Sequence, residues 1–264
     1  MTEEITSESK FIWKFIGLIL LTPITLIQIL FRKKEFSDLF EPFRYLYRFV
    51  TEPKFTITII GINTLIFILM AFLPDQTIMN FVQTPTDLFT AKFYTLFTAG
   101  FMHANLTHLF GNMLLIFIFG RALERKLGSG KTALIYFGAL IISGIFSALV
   151  NMLIADNTPG LGASGALMGL IAAAILIDPL YFTYELLVPL PIMVVGWIAI
   201  YGDLIGILNP VEDGIGHFAH LGGFISVALI AFILGLKERK EMLKGLLINV
   251  ASLIVIGGIY LLFF

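Results

Sequence analysis

The sequence predicts an all-α fold, a polytopic transmembrane helical bundle, and its composition is the first reason. Of the 264 residues, 58% are hydrophobic and only 13% are charged, whereas about 25% of the residues in a soluble domain are charged. The mean hydropathy of +0.95 shows that most of the surface must face lipid. Soluble, disordered and collagen-like chains are therefore excluded. The chain has no cysteine, which also excludes disulfide scaffolds and cysteine nucleophiles.

Long apolar runs are the second reason, because a helix of about 20 apolar residues crosses the roughly 30 Å of hydrocarbon in a bilayer. The runs predict eight membrane helices, over 11–31, 55–73, 104–120, 133–155, 161–178, 187–207, 217–236 and 245–264. The first run contains Lys14, Pro23 and Gln28, so it either spans the membrane or lies along its surface as an amphipathic helix. Its flanking charges favour a spanning helix.

The segment 36–50 connects the first two predicted spans. It mixes aromatic residues with Arg44 and Arg48, a composition that suits a helix on the anionic cytoplasmic surface of a membrane. An ordinary connecting loop explains the segment equally well.

Basic residues predict the orientation, because Lys and Arg are retained on the cytoplasmic side. Alternate loops carry Arg32, Lys33, Lys34, Arg44, Arg48 and Lys54, then Arg121, Arg125, Lys126 and Lys131, and then Lys237, Arg239, Lys240 and Lys244. The opposite loops hold only Lys10 and Lys92 and several acidic residues. We therefore expect 74–103, 156–160 and 208–216 to face the non-cytoplasmic side, and 179–186 to face the cytoplasm by alternation. The acidic N-terminus and the missing cleavage site argue against a signal peptide, and we expect the cytoplasmic membrane of a cell.

Polar side chains within membrane spans are costly, so their positions point to function. All four histidines fall in two runs, HANLTHLFGN at 103–112 and HFAHLGG at 217–223. On a helix, His108 shares a face with Asn112, and His217 shares one with His220. A third run, GLGASGALMG at 160–169, places Ser164 at the start of a span. The predicted orientation brings all three runs to the non-cytoplasmic end of the bundle.

Serine, histidine and asparagine at one depth indicate nucleophilic hydrolysis. Serine attacks a carbonyl group once a base removes its proton, and neutral histidine is the usual base near pH 7. Asn112, His108 and free N–H groups at the helix start could stabilise the oxyanion, and glycines around Ser164 leave room for a substrate. No third, acidic member is evident. Asp203 is the only acidic residue placed well inside a span, and an aspartyl mechanism needs two.

Simpler interpretations exist for each run. Small residues in a membrane helix are often a close-packing surface, and a single histidine or asparagine often forms an interhelical hydrogen bond. No metal is expected, because neither histidine run is HExxH and no acidic residue neighbours His108 or His220. A transporter would need a charged path across the bilayer, whereas these polar residues stop at one leaflet.

In combination, the motifs resemble those of the rhomboid intramembrane serine proteases. HANLTHLFGNM resembles the family's H-x4-H-x3-N pattern, and the GRALERKLGSGK segment that follows is similar to its first cytoplasmic loop. GASGALMG resembles the G-x-S-G serine motif, and AHLGG resembles the A-H-x-x-G motif. The resemblance covers roughly 54–240 and preserves the order of the motifs.

This resemblance implies site residues and their roles. Ser164 would be the nucleophile and His220 the general base, with His108, Asn112 and the Ser164 backbone N–H forming the oxyanion hole. His103 and His217 would lie at the cavity mouth as accessory residues. The remaining accessory positions are Gly162, Gly165, Met168 and Gly223.

The resemblance also implies an organisation in three parts. Residues 1–54 would form an additional N-terminal helix with its connector, 55–240 a six-helix protease core, and 241–264 an additional C-terminal helix. A substrate helix would enter past 187–207 and be cut near its outer end. The partners would be transmembrane protein substrates and the lipid bilayer, without a cofactor, metal or nucleic acid.

Two positions depart from the family pattern. Met168 replaces a Phe or Tyr on which the catalytic imidazole packs, and a thioether constrains a ring less than an aromatic face does. Val227 replaces the last glycine of the histidine motif, so the close helix approach is expected to loosen or shift to Gly222 and Gly223. The alternative function is a proteolytically inactive rhomboid-like protein that binds transmembrane clients. Members without activity typically lack the serine or the histidine, and this chain has both.

Overall fold

The computed structural model describes residues 8–184, 188–209 and 215–263, and this part of the chain is almost entirely helical. The α-helices are α1 (Glu8–Leu20), α2 (Thr22–Leu30), α3 (Glu41–Thr51), α4 (Lys54–Met70), α5 (Asp75–Met79), α6 (Thr95–Thr98), α7 (Leu106–Leu127), α8 (Ser129–Leu153), α9 (Ser164–Ile177), α10 (Ile192–Leu208), α11 (His217–Ile230) and α12 (Leu236–Phe263). Short 3-10 helices lie at Phe36–Phe40, Pro85–Phe89 and Ala99–Phe101, and β1 (Phe182–Thr183) pairs antiparallel with β2 (Leu190–Pro191). The predicted all-helical fold class is confirmed.

Each predicted span corresponds to a helix or a bent pair of helices within the described residues. Three helices, α7, α8 and α12, are long and apolar enough to cross a membrane. Two pairs of consecutive helices are long and apolar enough only when each pair is taken as one bent span. The bend is 48° between α1 and α2, and 85° between 36–51 and α4. The remaining apolar helices, α9, α10 and α11, are shorter.

The central helix α9 is too short to cross the membrane alone. It has 14 residues and is therefore about 21 Å long. Asp178, just beyond its C-terminal end, pairs with Lys126 at 3.2 Å. This pair places the C-terminal ends of α7 and α9 on the same side of the bundle. The predicted alternation of loops between the two sides of the membrane requires the same arrangement. A helix of this length covers only part of the roughly 30 Å of hydrocarbon, and Ser164 lies at the end of α9 opposite this ion pair.

Helix α9 is buried by its neighbours, which is typical of a helix that is apolar on all sides. It packs against α7, α8, α10, α11 and α12. A Cβ atom at Gly223 would collide with the Gly165 carbonyl group, and one at Gly222 would lie 2.8 Å from Phe146 Cβ. The close approach of α11 therefore passes through Gly222 and Gly223, while Val227 is buried at 3% exposure.

The N-terminal helices form a small aromatic cluster on the bundle. The chain bends between α1 and α2, where Pro23 lies in the first turn of α2. The segment 36–50 is helical rather than an ordinary loop, and its Tyr45 and Phe49 rings stack on Phe11 at 5.0 and 3.6 Å. The Arg121 guanidinium lies 3.2 Å from the Phe49 ring centre. These contacts attach α1 and α3 to α7 through a cation–π interaction.

Glu124, in the segment that follows the first histidine run, fixes the start of α4. Its carboxylate accepts hydrogen bonds from the backbone N–H groups of Phe55 and Thr56 at 2.8 and 2.9 Å. It also accepts from the Ser129 hydroxyl at 2.6 Å. A carboxylate at a helix N-terminus satisfies N–H groups that have no intrahelical acceptor, so Glu124 joins α4 to the α7–α8 turn.

Some predicted boundaries are wrong. Helix α11 ends at Ile230, and α12 begins at Leu236, so the predicted loop at 237–244 and the boundary at 240/241 lie inside α12. Good helix formers in LKERKEMLK continue the helix beyond the hydrocarbon, and Glu238 pairs with Lys131 on α8 at 2.5 Å. The predicted span start at 187 and most of the 208–216 loop lie outside the described residues.

The segment 74–103 crosses the Ser164 end of the bundle as a series of short helices. Gln83 and Gly160 exchange backbone hydrogen bonds of 3.1 and 2.8 Å. The Gln83 side chain donates to the Gly144 carbonyl group at 3.0 Å, and Gly162 N–H donates to the Ala99 carbonyl group at 2.9 Å. This segment therefore holds the loop that leads into Ser164.

Candidate active site

Ser164 is the first residue of α9, and a glycine with a positive φ lies two positions before it. Gly162 has φ of +130°, a conformation that glycine adopts readily and other residues rarely do. A Cβ atom at Gly162 would lie 2.8 Å from His108 Cε1 and 3.7 Å from Ser164 Oγ. The absence of a side chain here lets the imidazole of α7 approach the hydroxyl of α9. The first N–H groups of α9, which have no intrahelical acceptor, lie at the same place.

His103, His108 and Asn112 form one side of this cluster. His103 Nε2 lies 3.0 Å from Asn112 Nδ2, and the rings of His103 and His108 meet edge to face at 5.0 Å. An asparagine amide has two N–H groups, so Asn112 keeps one N–H group for another acceptor. Burial, with a smaller contribution from His108, lowers the pKa of His103 to about 4, and His103 is neutral near pH 7.

The expected place of His103 at the cavity mouth is wrong. Its side chain is 1% exposed, because the 3-10 turn Ala99–Phe101 delivers it directly against α7. The structure places His103 inside the cluster, where it contacts Asn112. His217 is half-buried at the start of α11.

An acidic residue completes the other side of the cluster, and sequence reasoning missed it. Asp203 Oδ1, on α10, lies 2.6 Å from His220 Nδ1 and 3.0 Å from His217 Nδ1. The expectation that no acidic member is present is therefore wrong. Asp203 and the two histidines belong to different helices, so their contact exists only in the fold. One signal could have found it, since a carboxylate within a span normally requires a partner.

The three polar runs meet at one end of the bundle. His108 is close enough to His220 for their charges to interact. A Cβ atom at Gly165, beside Ser164, would lie 3.6 Å from the carbonyl oxygen of Ala219, beside His220. The Ser164 hydroxyl has no hydrogen-bond partner among the described residues. Catalytic hydrogen bonds in unliganded enzymes often tighten only when substrate binds.

Met168 is buried at the contact between α9 and α11, close to Gly223. It is 5% exposed, and its Cβ lies 3.1 Å from the position that a Cβ atom at Gly223 would take. Gly223 is three residues after His220 and therefore lies on the same face of α11. Met168 therefore lies at the face of α11 that carries His220.

Asp203, His217 and His220 also form a set of metal-ligand type. Their donor atoms lie within 4.8 Å of one another, and one carboxylate with two imidazoles is a set that binds zinc in other proteins. The expectation of no metal depended on the lack of an acidic residue beside His220, and that premise is wrong. Hydrogen bonds to one carboxylate oxygen join the three residues here.

Comparison with known proteins identifies the family. The Rhomboid domain model matches residues 90–237, which is more than half of the chain and includes every residue of this cluster. The chain belongs to the rhomboid family. A rhomboid protease GlpG from Salmonella newport (strain SL254) is 31% identical over 185 residues, covering 67% of this chain and 62% of that protein.

Plant proteins are also similar to this rhomboid. RHOMBOID-like protein 12, mitochondrial, from Arabidopsis thaliana is 28% identical over 186 residues, covering 64% of this chain and 55% of that protein. RHOMBOID-like protein 6, mitochondrial, from the same plant is 33% identical over 150 residues, covering 56% and 45%. The chain thus spans about half the length of the curated relatives that it matches. The apolar helices and the family together establish a multi-pass membrane protein.

Proposed function

We propose that this rhomboid is an intramembrane serine endopeptidase that hydrolyses peptide bonds in or near transmembrane segments. The observation that carries the proposal is the meeting of Ser164 with the histidines of α7 and α11 at one end of the bundle. Ser164 begins a 14-residue helix, which is too short to cross the hydrocarbon alone. The His220 side chain is 15% exposed, and the proposed reaction requires water to reach its imidazole from the Ser164 end of the bundle.

In the proposed reaction, His220 accepts the hydroxyl proton as Ser164 Oγ attacks the scissile carbonyl carbon. The oxyanion that forms accepts hydrogen bonds from the free Asn112 N–H group, from His108 and from N–H groups at the start of α9. His220 then donates its proton to the leaving amine, which breaks the C–N bond and leaves an acyl-enzyme. Water then attacks the ester carbonyl carbon while His220 accepts its proton. The acyl C–O bond breaks, the carboxyl product leaves, and His220 returns the proton to Ser164 Oγ.

The proposed partners are transmembrane proteins, which would enter from the bilayer past α10. The proposed location is the cell membrane, with the active site open to the non-cytoplasmic side. The distribution of basic residues supports this orientation, because the ion pairs of Lys126 and Lys131 lie at the end of the bundle opposite Ser164. A relative from Salmonella is named a protease, which supports the activity.

The test is covalent labelling of the purified protein in detergent with a fluorophosphonate probe. We expect labelling of wild type, none in Ser164→Ala, and a loss of at least about 10³-fold in His220→Ala, since such groups act as a unit. Ser252→Ala, a serine of α12 outside the cluster, is the matched control and should label fully. A wild type that cleaves a transmembrane substrate no faster than Ser164→Ala contradicts the proposal. If the cellular levels of transmembrane clients then respond equally to wild type and to Ser164→Ala, the result favours a rhomboid-like protein that binds clients without cleaving them.

A further inference from the structure

Helix α10 places a single carboxylate between the two histidines of α11, and a two-residue mechanism does not use it. The Asp203 side chain is 16% exposed, and its Oδ1 is within hydrogen-bond distance of both Nδ1 atoms. An ionised carboxylate only accepts hydrogen bonds. Each imidazole must therefore carry its proton on Nδ1 and donate it to Asp203.

This proton position matters for the proposed reaction. A neutral imidazole with its proton on Nδ1 has an unprotonated Nε2, which is the nitrogen that must accept the hydroxyl proton of Ser164. The carboxylate also fixes the ring orientation and stabilises the imidazolium that forms. Met168 stands where the family pattern has a flat aromatic residue, and a flexible thioether constrains a ring less, so orientation of the imidazole requires another group.

We propose that Asp203 is the positioning residue of this rhomboid, forming a Ser164–His220–Asp203 relay with the serine and the base. The inference rests on the proposed protease function and deepens it. Because Asp203 belongs to α10, the relay is complete only while α10 is seated against α11. A Cβ atom at Gly206, one turn beyond Asp203, would collide with the His217 ring, which shows how closely the two helices approach.

The opposite half of α10 is anchored elsewhere. Trp197 Nε1 donates to Asn249 Oδ1 on α12 at 2.8 Å, and Asn249 Nδ2 donates to the Ile175 carbonyl group on α9 at 2.7 Å. The Trp197 half of α10 is thus tied to the protein interior, whereas the Asp203 half is seated on the histidines. A displacement of that half would withdraw the carboxylate from His220 and reduce the activity of the base.

The kinetic test compares Asp203→Asn with wild type on a transmembrane model substrate in detergent. We expect kcat to fall by about 10²–10⁴-fold, with KM changed less than about twofold and the melting temperature preserved. Asp203→Glu keeps the carboxylate and should recover part of kcat. Asp75→Asn, an exposed acidic residue of the predicted non-cytoplasmic side, is the matched control and should match wild type.

A spectroscopic test does not depend on turnover. In ¹⁵N-histidine-labelled Ser164→Ala protein, NMR should show the His220 proton on Nδ1 in a strong hydrogen bond, and Asp203→Asn should remove that signature. The His220 resonance is assigned as the one that disappears in the variant His220→Gln. A His220 proton located on Nε2 overturns the relay, as does an unchanged resonance in Asp203→Asn.

The outcomes separate this inference from the protease function. An active wild type with Asp203→Asn within twofold of it overturns the relay and leaves the protease function intact. If wild type cleaves the substrate no faster than Ser164→Ala, both the relay and the protease function are overturned. Treatment with EDTA should leave the wild-type rate unchanged, and a loss that Zn²⁺ restores overturns the positioning role in favour of a metal site at the same three residues.

Discussion

The polar groups of the site are held by contacts with one another. His103 is paired with Asn112, and Asp203 with His217 and His220. Buried polar groups are costly when unpaired and rigid when fully paired. The pairing therefore keeps these side chains oriented in a largely apolar bundle, while the Ser164 hydroxyl is left available for reaction.

Gly162→Ala is predicted to abolish activity. The substitution adds a side chain at φ of +130° and within 2.8 Å of the His108 ring, so either the backbone or the ring must move away from Ser164. Fluorophosphonate labelling should fall at least about 10²-fold, which is a typical cost of losing an oxyanion donor. Gly160→Ala is the matched control, because nothing lies within 4 Å of its Cβ position. Equal labelling of the two variants would show that Gly162 has no such role.

Acid is predicted to destabilise the protein through His103. Its pKa is lowered from 6.5 to about 4, so the unfolded chain binds the proton more readily than the folded protein does. Stability is then fully present above about pH 6.5 and falls as the pH drops toward 4, by on the order of 3 kcal/mol in total. Thermal denaturation in detergent between pH 7 and 4.5 measures this loss. His103→Gln should show a shallower dependence, and an identical dependence would contradict the assignment.

Among the helices, α9 and α10 contribute differently to the site. Helix α9 is rigid at its core, because five other helices surround it and glycines permit their close approach. Helix α10 has many exposed apolar residues, including Ile198, Tyr201 and Leu204, so one of its faces meets lipid. Asp203, the carboxylate of the relay, thus belongs to α10, which has more lipid contact than α9.

Gly206→Ala is predicted to unseat the Asp203 half of α10. The added methyl group would collide with the His217 ring, and the cheapest relief is a shift of α10 away from α11. We expect kcat to fall about 10-fold or more, because a misplaced positioning group raises the barrier by at least about 1.4 kcal/mol. Gly202→Ala, on the same helix with open space at its Cβ position, should retain wild-type kcat. A similar fall in both variants would indicate a general effect of replacing glycine in this helix.

At the scale of the whole molecule, the two ends of the bundle differ in chemistry. One end carries Ser164, the histidines and Asp203, and the other carries the ion pairs Lys126–Asp178 and Lys131–Glu238. This polarity follows the distribution of basic residues in the loops. It predicts a single orientation in the membrane.

The predicted orientation is directly testable because the chain has no cysteine. In intact bacterial cells that produce the protein, a membrane-impermeant maleimide should label Asp75→Cys and leave Lys240→Cys unlabelled. Both positions are exposed, so access across the membrane is the variable measured. After the cells are opened, both variants should label equally. If only Lys240→Cys is labelled in intact cells, the protein has the opposite orientation and its site faces the cytoplasm.

The sequence by itself determined the membrane class, the spans and the motif residues, because hydropathy and helical periodicity are local properties of the chain. Ser164 and the histidine runs were visible for the same reason, since polar groups are rare in these spans. Only the tertiary structure decided the burial of His103 and the contact of Asp203 with His217 and His220. Those features depend on which helices become neighbours, and a carboxylate 17 positions from its imidazole becomes its partner only when α10 packs on α11.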